Sequence, residues 1–287
     1  MAKKKITEVD FSRVELSAQI NAELDKVIDD LTLFDDDLMS KVFDGNVEAA
    51  ELLLKIILQR DDIKVVKVKG QVTMKNPYVR GRDITIDIHV KDGNGNEFDV
   101  EVQRSEEGSS NQRIRFHSSM LDVRMLKKKQ KFQAIKDGYV IFICQHDKFG
   151  KNLPIYHVNK IVEETGEIFD DGSHIIFVNG VYEGDDDFGK LAHDFNCKDA
   201  DDIYYQPLAD GVRHFKETEE GRDAMCESFT KLADKVAEER ADEREMQTTA
   251  RNVASLMESM KMTLEQAMNA LKIQGKDRAI IAKQLQK

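Results

Sequence analysis

Between Asp83 and Gln103 the chain alternates strictly. Ile84, Ile86, Ile88 and Val90 fall on one parity and Asp83, Thr85, Asp87 and His89 on the other; after a short break, Phe98, Val100 and Val102 alternate with Asp99, Glu101 and Gln103. Period two predicts two strands, and Asp92-Gly93-Asn94-Gly95-Asn96 between them is dense in residues that accept positive φ, so the strands form a hairpin. Opposed residues share a face, so the apolar rows match only when paired residue numbers sum to an even value. A sum of 188 does this with Gly93–Gly95 as a three-residue loop, and it sets Asp87 opposite Glu101 and Thr85 opposite Gln103. A two-residue Asn-Gly turn would oppose polar to apolar side chains and is rejected.

Helical spacing of Val42, Phe43, Val47, Ala50, Leu54, Ile57 and Leu58 predicts one buried helix over 38–59, and β-branched 63–71 predicts a strand. After the hairpin, Ile114, Met120, Leu121, Val123, Met125, Leu126, Phe132 and Ile135 predict a helix over 111–136 with a basic outer face. Tyr139–Cys144 is wholly apolar, as a strand covered on both faces would be. Further strands are expected within 155–162 and 174–182. The resulting order, α-β-β-β-α-β, is a mixed α/β core. Residues 1–37 form a polar extension whose periodic apolars (Val14, Leu16, Ile20, Leu24, Val27, Ile28, Leu31) suit an amphipathic helix. From Lys216 the composition turns to Ala, Glu, Lys, Arg and Met without Pro, so 216–287 is a helical C-terminal region, with a capping box at Thr263 and Gln266 and a break at Gly275. The core occupies 38–215.

The 287 residues carry a net charge of −11 and are 40% hydrophobic, enough for a globular core. Three widely spaced Cys fit neither a disulfide framework nor a zinc ribbon and point to a reducing, cytoplasmic setting; no signal peptide or membrane span is expected. The acidic balance argues against indiscriminate nucleic-acid coating, yet 111–136 holds eight basic residues and one acidic one. That run suits either a phosphate track or a merely solvated face. Gly184–Leu191 has Walker-like spacing but lacks the Ser/Thr, and 92–103 begins like an EF-hand but lacks its Gly and terminal Glu.

Asp87 and Glu101, opposed across adjacent strands with Gln103 two residues on, supply hard oxygen donors suited to Mg²⁺, with Mn²⁺ as the alternative. Facing carboxylates require a cation, a shared proton or a basic partner; the same row would equally suit a solvent-facing side of the hairpin. Glu51, near the edge of its helix's apolar stripe, is a further candidate ligand. Arg104, Arg113 and Arg115, extended by Arg124, Lys127, Lys128 and Lys129, are candidate DNA-backbone contacts.

These residues resemble the PD-(D/E)XK nuclease superfamily, and within it the PD-(D/E)XK nuclease family transposases, relatives of the recombination-promoting nucleases. The resemblance spans roughly 38–220. It rests on Glu-Leu-Leu-Leu-Lys-Ile-Ile-Leu at 51–58, Asp-Ile at 87–88, Asp-Val-Glu-Val-Gln-Arg at 99–104, Arg-Ile-Arg-Phe-His-Ser-Ser-Met-Leu-Asp at 113–122 and Tyr-Val-Ile-Phe-Ile at 139–143. It implies a restriction-endonuclease-like fold, a mixed central sheet flanked by helices, and a Mg²⁺-dependent DNA endonuclease of transposase type that promotes recombination. Asp87 and Glu101 would be the metal-binding acids, with Gln103 in the motif's Lys position. Ile86 stands where the superfamily has Pro, Gln103 brings no positive charge, and His117 falls where relatives often have Tyr. The rival expectations are a catalytically degenerate nucleic-acid-binding protein that keeps the fold, and an interaction protein that forms a homo-oligomer through its C-terminal helices.

Overall fold

Strand β1 (Val65–Met74) leads into the hairpin, β2 (Ile84–Asp92) and β3 (Glu97–Gln103), in a computed structural model of the protein that describes residues 22–78, 81–105, 108 and 110–285. The hairpin pairs Ile88 with Val100, His89 with Asp99, Val90 with Phe98 and Lys91 with Glu97, the register expected from the alternation. Gly95 takes φ +89°, which an L side chain resists, and the Asp92 carboxylate accepts from the backbone N–H groups of Asn94 and Asn96. Asp92 is thus a turn anchor. β3 runs parallel to β4 (Gly138–Cys144), β4 is parallel to β6 (Ser173–Asn179), and the short β5 (Ile155–Val158) closes the far edge antiparallel. The six-stranded mixed sheet has the order β1-β2-β3-β4-β6-β5 and is flanked by helices, as a restriction-endonuclease-like fold requires.

All of β4 is buried. Its register, Asp99 beside Val140, Glu101 beside Phe142 and Gln103 beside Cys144, puts the polar row of the hairpin on the face that carries Val140, Phe142 and Cys144. Helix α4 (Asn111–Met125) covers that face, with Ile114, Met120 and Leu121 packed among these side chains and Phe177; Ile84 and Ile86 join from the end of β2 that no longer pairs with β3. Burying so many methylenes is the main stabilising contribution here, at about 25 cal/mol per Å² of apolar surface. The β3 half of the polar row therefore lies under a helix, and the solvent-facing reading of it is excluded there: Asp99 and Glu101 are 0% exposed, whereas Asp83 and Thr85 on the β2 side face solvent.

Three expectations are corrected by the backbone. The single helix expected over 38–59 is two, α2 (Asp36–Phe43) and α3 (Val47–Leu58), separated by Gly45 at φ +75° and restarted by Asn46, whose side chain caps the Ala49 N–H. Helix α4 ends at Met125, not 136: Leu126 is extended, Lys129 has φ +74°, and Phe132 is 79% exposed in a short 3₁₀ turn. Consecutive lysines repel one another and offer no apolar position to the sheet, so nothing holds a further turn. Within the extension expected over 1–37, the described residues 22–37 pack into the core and do not stand ahead of it. Residues 22–30 form helix α1, Ile28, Leu33 and Phe34 are buried, and Phe34 meets Phe195 of α5 (Asp187–Asn196) edge-on at 5.6 Å; Val14, Leu16 and Ile20 lie outside the described residues.

Lys216, near the end of α6 (Gln206–Glu217), is buried with its Nζ donating to the carbonyls of Asp29, Leu31 and Lys198. A boundary at 215 would sever these bonds, and the first compact unit runs instead to Met225, inside α7 (Glu219–Met260). The second unit, Cys226–Lys287, contains the rest of α7, α8 (Leu264–Ala270) and α9 (Lys276–Leu285). Its own small core comprises Ala250, Val253, Ala267, Met268, Ile273 and Ile281, and the Thr263–Gln266 capping box forms as expected. Among the described residues no helix is long and apolar enough to cross a membrane.

Candidate active site

Past the Ile88–Val100 pair the two hairpin strands part, and carboxylates occupy the opening. The Asp87 N–H donates to Glu101 Oε1 at 3.2 Å, and the Val102 N–H donates to Asp87 Oδ2 at 3.0 Å. Each acid thus satisfies a backbone donor of the opposite strand, which holds Asp87 and Glu101 together as the register foretold. The first turn of α4, capped by Ser110, delivers Arg113 to the same point. Its Nη2 donates to Glu101 Oε2 at 2.5 Å, and its Nη1 donates to Gln103 Oε1 at 3.2 Å and to the Gly108 carbonyl at 2.9 Å. One turn on, His117 Nδ1 lies 2.7 Å from Asp99 Oδ2, while Arg113 Nε donates to His117 Nε2 at 3.4 Å. Because arginine only donates, Nε2 must be the accepting nitrogen and Nδ1 carries the proton.

Three carboxylates, those of Asp87, Asp99 and Glu101, face one guanidinium. Burial pushes Asp87 up to about 6 and Asp99 up to about 8, and it drives Glu101 well above the ordinary glutamate range, with the neighbouring acids adding to the effect. Burial also pushes His117 down, which agrees with the neutral tautomer. Asp99 Oδ1 is buried without a hydrogen-bond partner. An uncompensated buried oxygen beside a second acid is costly; a proton shared between Asp99 and Glu101 or a divalent cation relieves it, and the hard oxygen donors fit Mg²⁺ or Mn²⁺. Ligand atoms of Asp99, Glu101 and His117 lie within 4.8 Å of one another. His117 Nδ1, however, is engaged by Asp99, so carboxylate oxygens are the donors on offer.

The remaining expected residues are dispersed. Gln103 sits at the mouth of the cluster through Arg113. Arg104 is ion-paired with Asp35 at 2.7 Å. Glu51 is not brought to the acids: it bonds Lys55, Lys64 and the Val65 N–H, and the two lysines hold it down at about 2. Val65 pairs with Asp92, and from Asp92 back to Asp87 along β2 is roughly 16 Å, so one ion cannot join Glu51 to Asp87. Arg115 lies on the outer side of α4 and lines a cleft of about 750 Å³ with Arg82, Thr85, Ser110, Gln112 and Arg113. Met125 reaches Gly138, which pairs with Glu97, so the last turn of α4 carries Arg124 toward the hairpin turn, with Met125 ~18 Å from Arg113 by helical rise and Lys127–Lys129 just beyond the helix end. Asp99 and His117 were not expected as site residues. The signals were present in the two-residue step from Asp99 to Glu101 and the four-residue step from Arg113 to His117, which keep each pair on one face.

No curated protein and no solved structure gives a significant match to the chain. The resemblance read from 87–88, 99–104 and 113–122 is borne out by a family match that encloses all three segments, and it is in their strands and helix that the buried acids converge. Residues 43–180 match the family model of the PD-(D/E)XK nuclease family transposases.

Proposed function

We propose that the protein is a metal-dependent DNA endonuclease. The observation that carries this reading is the convergence of half-buried Asp87 with fully buried Asp99 and Glu101, one oxygen of it unpaired, behind Arg113 and His117, which line a cleft that also takes in Arg82 and Arg115. Asp87 and Glu101 would hold Mg²⁺ or Mn²⁺, which when bound polarises the phosphoryl group and lowers the pKa of a water. Hydrolysis then joins the water oxygen to phosphorus and breaks one P–O ester bond, and the water's proton ends on the leaving oxygen. Gln103, whose Oε1 is taken by Arg113 and whose Nε2 donates to Ser105 Oγ at 3.4 Å, offers its second amide hydrogen to position the water; it cannot accept the proton. Arg82 and Arg115 line the cleft along which the scissile strand would lie. Lys127–Lys129 follow the end of α4, itself ~18 Å from Arg113 by helical rise, and would meet phosphates about five nucleotides or more away, at ~3.4 Å per step along a strand.

Supercoiled plasmid incubated with Mg²⁺, Mn²⁺ or chelator tests this. Nicking that requires metal and falls at least ~10³-fold in Asp87→Asn and Glu101→Gln, with circular dichroism unchanged, is the expected outcome. Intact plasmid under every metal sinks the enzyme reading. Salt-sensitive DNA binding without nicking would then select a binding protein that keeps the fold. Replacing Lys127, Lys128 and Lys129 together by Ala should lower the log–log salt slope of binding by about 0.9 for each phosphate that the variant no longer neutralises. An unchanged slope removes the loop from the DNA path.

A further inference from the structure

The superfamily motif has a lysine where this chain, resembling the Glu-x-Gln form of the transposase subfamily, has Gln103, so that position carries no positive charge. The geometry around Gln103 restores it from another element. Arginine has five N–H donors. In Arg113 one goes to His117, two go to Gln103 and the Gly108 carbonyl, and one goes to Glu101. The remaining Nη2 hydrogen has no partner among the described residues, and the side chain is 39% exposed, so the guanidinium edge reaches the cleft. Its plane is fixed from behind by His117, which Asp99 locks in the Nδ1–H tautomer, and Phe142 lies beneath the guanidinium at 5.8 Å from the ring centroid. A guanidinium held this firmly resembles transition-state charge stabilisation by preorganised donors more than a mobile backbone contact.

We infer that Arg113 supplies the fixed charge that Gln103 lacks, donating its free Nη2 hydrogen to the phosphoryl group, and that Asp99 and His117 are the positioning pair that holds it. This rests on the nuclease reading. Arg113 was expected from the sequence as one of several DNA contacts; here its role is in turnover and is distinct from those of the exposed lysines.

Three measurements test it. With wild type nicking plasmid, Arg113→Ala should lose about 100-fold in kcat with KM little changed, and Gln103→Lys added to Arg113→Ala should recover at least about tenfold, because the lysine puts a charge back at the motif position. Asp99→Asn should lower kcat by about tenfold, and His117→Gln by a similar factor. Independently of activity, the ¹⁵N–¹H signal of Arg113 Nε should be protected from exchange in wild type and exchange rapidly in Asp99→Asn and His117→Gln. Arg113→Ala that raises KM and leaves kcat intact makes Arg113 an ordinary DNA anchor and overturns the inference; so does a double variant no better than Arg113→Ala. An Arg113 Nε signal that stays protected in both positioning variants overturns the role of Asp99 and His117. A wild type inert with every metal sinks the nuclease reading and this inference with it, whereas an active wild type matched by Arg113→Ala sinks the inference alone.

Discussion

The two ends of one hairpin make opposite use of the same chemistry. At the turn end, Glu97 accepts from His89 Nε2 at 3.1 Å, with Lys91 Nζ at 3.6 Å, and the backbone ladder beside it is complete. Basic partners outnumber the acid there, and His89 holds the Glu97 carboxyl below its usual range. At the open end, Asp99 and Glu101 also stand beside a histidine, but three acids face one guanidinium, the β2–β3 ladder ends between Asp99 and Glu101 at the Ile88–Val100 pair, and burial pushes the acids up. An acid–histidine contact is therefore structural where charge is balanced and the backbone is paired. It marks a reactive site where acids are in excess beside the point at which the strands part.

The sharpest way to break this comparison is pH. Carboxyl groups whose folded pKa is raised bind protons more tightly in the native state, so their stabilising effect is complete below about pH 4 and is lost as pH rises toward the folded values of about 6 for Asp87 and about 8 for Asp99. In chelator, the melting temperature of the wild type should fall by several degrees between pH 5 and pH 8, and Asp99→Asn should flatten that fall. A wild-type curve flat or rising over this window would show that the open end is not short of positive charge. The turn end has the opposite sign: Glu97, lowered by His89, contributes stability above the ordinary glutamate pKa that is lost on acidification. Glu97→Gln should cost about 1.5–2 kcal/mol at pH 7 by urea unfolding and much less at pH 3; equal costs at both would remove the contrast. The smallest effect concerns the turn alone. A Cβ on Gly95 would meet nothing closer than Lys136 Cγ at 3.5 Å, so Gly95→Ala should cost only about 1 kcal/mol, the conformational penalty of φ +89°, with plasmid nicking unchanged. Abolished nicking in that variant would mean that the two ends are coupled.

Most of what positions the site was legible in the chain because it depends on parity. Period-two alternation and the even-sum rule gave the pairing of Ile88 with Val100, and with it the facing of Asp87 and Glu101. The apolar run at Tyr139–Cys144 announced a strand buried on both sides. Parity does not say what covers a face. The burial of Asp99 and Glu101 is produced by α4 lying on β3 and β4, a tertiary fact, so Asp99 looked like any polar strand residue and His117 like a departure from a motif. Helix ends failed for a local reason: apolar spacing continues through Gly45 and past Met125, while a positive φ at Gly45 and a lysine run after Leu126 break the backbone. Glu51 was misplaced because an angle on a helical wheel carries no information about height along the sheet.

The parted strands have one more consequence. The amide protons of Asp87 and Val102 rest on carboxylates in place of strand carbonyls. Any ion that draws electron density from those oxygens weakens both hydrogen bonds at once, so two backbone resonances, far apart in sequence and adjacent in space, should shift together on cation titration. The fold thereby contains its own occupancy gauge, readable in a nitrogen–proton correlation spectrum with no nucleic acid present.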